Sequence, residues 1–315
     1  VTPVSPAMAE NLAQEVVAMY ADSERILLER IARALAKGID APYWAEHKLL
    51  EIQFLSVQTQ RLVADLGDRA AAQVAVDLAK AYNRGGASAA NDLASILKVP
   101  LSEASAPILS LPPVELLVSE TMRYLSATGT RILRSTMDAY RSVVAETAGQ
   151  VLIGTQTRRQ AAQSALNRFA VKGITGFIDK AGRGWNLPSY VEMAMRTGCG
   201  RAVVKGAMDR LQSNGLDLVI VSDAPGECEL CRPFEGQVFS LSGSSPDYPP
   251  LDSAEADGLF HVNCRHQVSA YQEDVTRPMG EVADPEGYAA SQKLRYLERQ
   301  TRSAKRLAAA ALDDD

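Results

Sequence analysis

Three of the four cysteines and two of the three histidines of this 315-residue chain lie between positions 228 and 266. Cys228-Glu229-Leu230-Cys231 opens the stretch and His261-Val262-Asn263-Cys264-Arg265-His266 closes it. Two thiolates from a tight Cys-x-x-Cys turn, completed by a Cys and a His from a second turn, make the tetrahedral N/S set that Zn²⁺ prefers over harder ions. The spacing therefore predicts a structural zinc knuckle. A disulfide or free thiols remain the alternative from spacing alone, although a disulfide gives His261 and His266 no part to play.

Other cysteine chemistries fit less well. A thioredoxin-like Cys-x-x-Cys opens a helix after a strand, whereas Arg232-Pro233 follows here and Gly236-Gln237 soon breaks the chain. A catalytic zinc keeps an open position and a nearby carboxylate, as in the deaminase His-x-Glu that precedes Pro-Cys-x-x-Cys. In this chain His261 comes after the Cys pair, and Asn263 stands where that Glu would.

The residues around the knuckle carry a family resemblance. Leu216 to Asp223, Pro225-Gly226-Glu227-Cys228 through Cys231, Pro233-Phe234-Glu235-Gly236 and Gly258-Leu259-Phe260-His261 through His266 follow one another in the order of a known signature. It resembles that of tailed-phage minor capsid proteins of the "phage minor capsid protein 2" kind, which are related to the phage Mu F-like head proteins. The family ends its signature with a His-x-x-Cys-Arg element before a short apolar strand, which Gln267 to Tyr271 would supply. A more diffuse likeness runs back through Trp185 and Ser189 to Met193 into the N-terminal helices. Some Mu F-like relatives carry Cys-Arg-Cys where this chain has Cys264-Arg265-His266. The fourth ligand beside Cys228, Cys231 and Cys264 is thus open between His261, the first choice, and His266.

Elsewhere the sequence reads as mainly α. Apolar residues at helical spacing predict a long helix over 7–37, a second from Trp44 to about Gly67, a third over 68–83 and a shorter one through Leu97, with Gly67 and Gly85-Gly86 as breaks. A proline-rich connector over 99–113 leads into a fourth long helix over 114–151. Thr157 and Gln160 predict a capping box for a short helix to Phe169. A hairpin over 173–186 and a helix from Pro188 to Asn214, closed by Gly215, precede a buried strand over 216–221. The expected organisation is an N-terminal helical region, 1–150, an α+β domain with the zinc knuckle, 151–275, and a tether with a C-terminal helix, 276–315.

Within that last helix, 285–312, the run from Lys293 to Arg306 gathers Lys293, Arg295, Arg299, Arg302, Lys305 and Arg306 against a single Glu298. It reads as a solvated basic face or as a contact for packaged DNA or an acidic partner. Its thin apolar stripe, Tyr288, Leu294, Leu297, Ala304, Leu307 and Ala311, reads as a docking element that gains most by lying along another helix. A net charge of -5 argues against a general nucleic-acid coat. No apolar run approaches the roughly 20 residues of a membrane span. Val1 to Asn11 lacks the basic start and apolar core of a signal peptide, so synthesis in the cytoplasm is expected.

No other catalytic constellation emerges. Phosphate-binding Gly motifs and a Gly-x-Ser-x-Gly elbow are absent from the sequence. Trp185, Tyr190, Glu192 and Arg196 are accounted for by a hairpin packed on a helix, Cys199 by burial and His47 by an exposed helix face. The chain is read as a non-enzyme. The resemblance implies a minor virion component made in the host bacterium and built into the phage head near the portal, touching portal or major capsid protein. A zinc-stabilised nucleic-acid-binding module is the alternative, and a delivery segment for an injected effector a further one, for which the chain to Asp315 leaves no room for a toxin domain.

Overall fold

The computed structural model of the chain describes residues 7–105, 112–178, 182, 184–224, 230–276 and 285–312. Among the described residues it is mainly helical, with eight α-helices and a small sheet of three strands. In chain order, α1 is Ala7–Ala36, α2 Trp44–Leu97, α3 Leu101–Ala104, α4 Pro112–Ile153 and α5 Arg158–Lys172. The two-residue strands β1 Phe177–Ile178 and β2 Gly184–Trp185 follow, then α6 Leu187–Ser213, β3 Leu218–Val221, β4 Val238–Ser240, α7 Leu251–Ala256, β5 Val268–Ala270 and α8 Pro285–Ala309. Among the described residues no helix is long and apolar enough to cross a membrane.

Several local signals hold. Thr157 caps α5, and its capping box with Gln160 is formed in both directions, satisfying two backbone donors that a helix start leaves over. β1 and β2 pair antiparallel as the expected hairpin. Gly215 follows α6 at φ +77°, the left-handed position that a Gly after a helix allows.

The breaks expected at Gly67 and Gly85-Gly86 do not occur, and α2 runs unbroken for 54 residues. A helical glycine costs about 1 kcal/mol relative to alanine, but at Gly85 the missing side chain serves packing. A Cβ there would fall 1.9 Å from the Val203 carbonyl oxygen of α6, and one on Gly206 would fall 2.0 Å from that of Tyr82. The two glycines let the backbones of α2 and α6 touch. The apolar residues Trp44, Leu50, Phe54, Val57 and Leu62, which recur at helical spacing in this segment, do not form one buried face: Trp44 is inside with Ile52, Leu55 and Leu66, whereas Leu50, Phe54 and Val57 are exposed.

The chain divides into two compact units. One comprises 1–15, 72–122 and 192–294, and the other 16–71, 123–191 and 295–315. In the first, β3 is the central strand of an antiparallel sheet of order β4-β3-β5. The sheet shares a core with the later part of α2 and with α6, through Leu93, Val204, Leu211, Val219, Phe239 and Val268. Buried Asp92 of α2 accepts the Ala270 N–H at 3.2 Å, which fixes β5 against the helix. Its burial raises the carboxyl pKa.

In the second unit, Trp44 donates its indole N–H to the Leu35 carbonyl at 3.1 Å and so closes the turn between α1 and α2. The basic face expected on α8 is only partly solvated. Arg306 is buried, donating from Nε to the Ala170 carbonyl at 2.7 Å and from its terminal nitrogen to that of Val171 at 3.1 Å. It also lies 3.6 Å from the carboxylate of buried Glu24. The reason is local, since the carbonyls at the end of α5 lack helical partners and Glu24 needs a counter-charge.

Candidate metal centre

The sheet brings the two halves of the Cys/His stretch together. Val221, at the end of β3, pairs with Val268, at the start of β5, so the chain leaving β3 and the chain entering β5 meet at one end of the sheet. Cys231 lies on the first of these segments, directly before a 3-10 turn over Arg232–Phe234. Cys264 and His266 lie on the second.

That second segment owes its shape to a β-turn. The Cys264 N–H donates to the His261 carbonyl at 2.9 Å, and Asn263 takes a left-handed φ of +65°. Asn tolerates this conformation better than most residues do, and here its own N–H donates to the Thr197 hydroxyl at 3.2 Å. The turn aims Cys264 inward, and two residues further the backbone N–H of His266 points at the Cys264 sulfur at 3.4 Å.

Within this frame the ligand atoms of Cys231, Cys264 and His266 all lie within 4.8 Å of one another. The two sulfurs are 3.6 Å apart, well beyond the ~2.05 Å of a disulfide. Nδ1 of His266 is 3.4 Å from the Cys264 sulfur, while Nε2 is 2.5 Å from Glu235 Oε1. His266 and Glu235 are both buried. Two sulfurs and one imidazole nitrogen, with Cys231 and His266 buried and Cys264 partly so, could hold a metal ion, and soft ligands of this kind suit zinc.

The electrostatics point the same way. The facing Cys231 thiol outweighs burial and, with the His266 contacts, holds the Cys264 thiol down at about 4. Burial lowers the pKa of His266, but its contacts with Cys264 and Glu235 prevail and raise it. The thiolate that a metal requires is therefore favoured before any ion arrives, and an ion binding Nδ1 would displace the imidazole proton there. Glu235 orients the ring from its far side, as carboxylates commonly do for metal-bound histidines.

Of the residues singled out in the sequence, Cys231, Cys264 and His266 come together. Cys228 lies outside the described residues. Among the described residues His261 is not grouped with these three; it opens the turn, its carbonyl accepts the Cys264 N–H, and its Nδ1 sits 2.7 Å from the Val262 carbonyl oxygen. The sequence reading missed Glu235, for which the one signal was a carboxylate shortly after the Cys pair, and missed β4, signalled by Val238-Phe239 after Gly236.

The remaining candidates have structural partners. Tyr190 stacks edge-on against Phe177 and Trp185 at ring distances of 5.0 and 5.8 Å, which seats the hairpin on its helix. Glu192 pairs with Arg196 at 2.6 Å. Cys199 is fully buried, and burial pushes its thiol up to about 12, an inert position.

The sequence model of the family described as Phage minor capsid protein 2 matches residues 4–315. No curated protein matches the chain, and no solved structure does.

Proposed function

Since the chain belongs to the phage minor capsid protein 2 family, we propose that it is a minor structural protein of a tailed-phage head. It sits at or near the portal vertex, contacts portal or major capsid protein, and serves head assembly or the packaging and ejection of DNA. The single observation that carries this reading is the family match over nearly the whole length. The role is one of construction rather than catalysis.

Within that role, one Zn²⁺ held by Cys228, Cys231, Cys264 and His266 ties the loop after β3 to the loop before β5. The grouping of the last three ligands and the carboxylate behind His266 support this set. His261, the first choice from the sequence, gives way to His266. Bound there, the ion would contribute folding energy, because the unfolded chain has no preformed site.

The nucleic-acid alternative has less to draw on. Arg306 is committed inside its own unit, and of the other basic residues on α8, Lys293, Arg299 and Lys305 are exposed. Purified particles settle the placement: mass spectrometry should find the chain in mature heads, and crosslinking should join it to portal or major capsid protein. Absence from particles together with tight, salt-sensitive DNA binding by the isolated protein would replace the capsid reading with the nucleic-acid one.

A further inference from the structure

The exposed stripe at the start of α2 follows a strict pattern. His47, Leu50, Phe54, Val57, Arg61 and Ala64 recur at alternating steps of three and four, the 3.5-residue repeat of a helix-pairing seam, and all are exposed. Leu50 is 78% exposed, Phe54 69% and Val57 45%, while Tyr43, directly before the helix, is 72% exposed. Large apolar side chains clustered this way mark an interaction surface, whereas single ones are ordinary. The seam from 47 to 64 is about 25 Å long at 1.5 Å per residue.

We propose that this seam pairs with the same seam of a second copy of the chain, the two helices running antiparallel about a two-fold axis near residue 52. The pattern is self-complementary in that direction. Leu50 of each copy then meets Phe54 of the other, His47 meets Val57, and Arg61 reaches the ring of Tyr43, a cation over an aromatic face. A parallel arrangement would set Arg61 against Arg61 and leave both charges without a partner. Glu51, which flanks the centre of the pairing, is held by Lys48 at 2.9 Å and Lys37 at 3.8 Å, so two copies meet without an uncompensated acid between them. An isologous contact of this kind closes on itself and gives a dimer rather than a filament. The pairing rests on the exposed seam alone and stands or falls separately from the capsid role.

Sedimentation equilibrium of the full chain tests it. The wild type should be a dimer at micromolar concentration. Phe54→Glu should raise the dimer dissociation constant at least 10-fold with an unchanged circular dichroism spectrum, since Phe54 is not part of the core. Leu152→Glu, at an 87% exposed residue off the seam, should leave the dimer intact. A wild type that stays monomeric at micromolar concentration overturns the proposal, as does a Phe54→Glu protein that stays dimeric. Direction is read from an equimolar mixture of Leu50→Cys and Phe54→Cys chains carrying different mass tags. Mixed disulfides between the two variants support the antiparallel pairing, and predominance of like-with-like disulfides overturns it.

Discussion

His266 is gripped from both sides of its ring, by the Cys264 sulfur at Nδ1 and by Glu235 at Nε2. His261, five positions earlier, serves the turn instead. The residue types of the Cys/His cluster were legible because Cys-x-x-Cys with a later Cys/His pair is a sparse pattern tied to soft-metal chemistry. Which histidine points inward was not, because spacing says nothing of a left-handed Asn263. Under the zinc proposal, His266→Ala is expected to lose near-stoichiometric zinc in metal analysis of the purified protein, and His261→Ala to retain it. Glu235→Gln, which keeps the shape but weakens the acceptor, should lower zinc affinity by roughly 10–100-fold in a chelator competition. Retention of full zinc by His266→Ala would return the fourth position to His261.

At the scale of the element, the helices were readable from apolar spacing, and α1 and α5 were closely anticipated together with the Thr157 cap. The glycines of α2 were misread, because the residue that breaks a solvated helix also lets two helices touch. The structure separates the two cases. At Gly67 nothing lies within 4 Å of a built Cβ, whereas at Gly85 it would strike the backbone of α6. Gly67→Ala should therefore raise stability by about 1 kcal/mol through helix propensity. Gly85→Ala should lower it by about 3 kcal/mol through overpacking. Urea denaturation followed by circular dichroism measures both, and a Gly85→Ala protein as stable as the wild type would contradict the close approach of α2 and α6. The face of α2 was equally hidden, since Leu50 and Phe54 read as apolar positions whether a core or another chain covers them.

For the molecule as a whole, the C-terminal part of α8 shows how a helix that looks like an appendage is bound into a unit. Arg306 answers the last carbonyls of α5 and the Glu24 carboxylate together. Arg306→Ala leaves all of these buried without a cation, a loss of about 3 kcal/mol, read as a fall in melting temperature on the order of 10 °C. Zinc content should not change, because the proposed metal ligands belong to the other unit. Loss of zinc in this variant would mean that the units depend on one another for folding. The sequence by itself determined the helical class, the small sheet region, the Cys/His stretch and the family, because periodicity, caps and rare residue types are local and survive without knowledge of neighbours. Only the tertiary structure decided that α2 runs through its glycines, that His266 and Glu235 face the cluster and that one arginine of a basic helix lies inside. Each of these depends on which distant backbone group a residue meets, and the pairing of β3 with β5 and of α2 with α6 fixes that where linear spacing cannot.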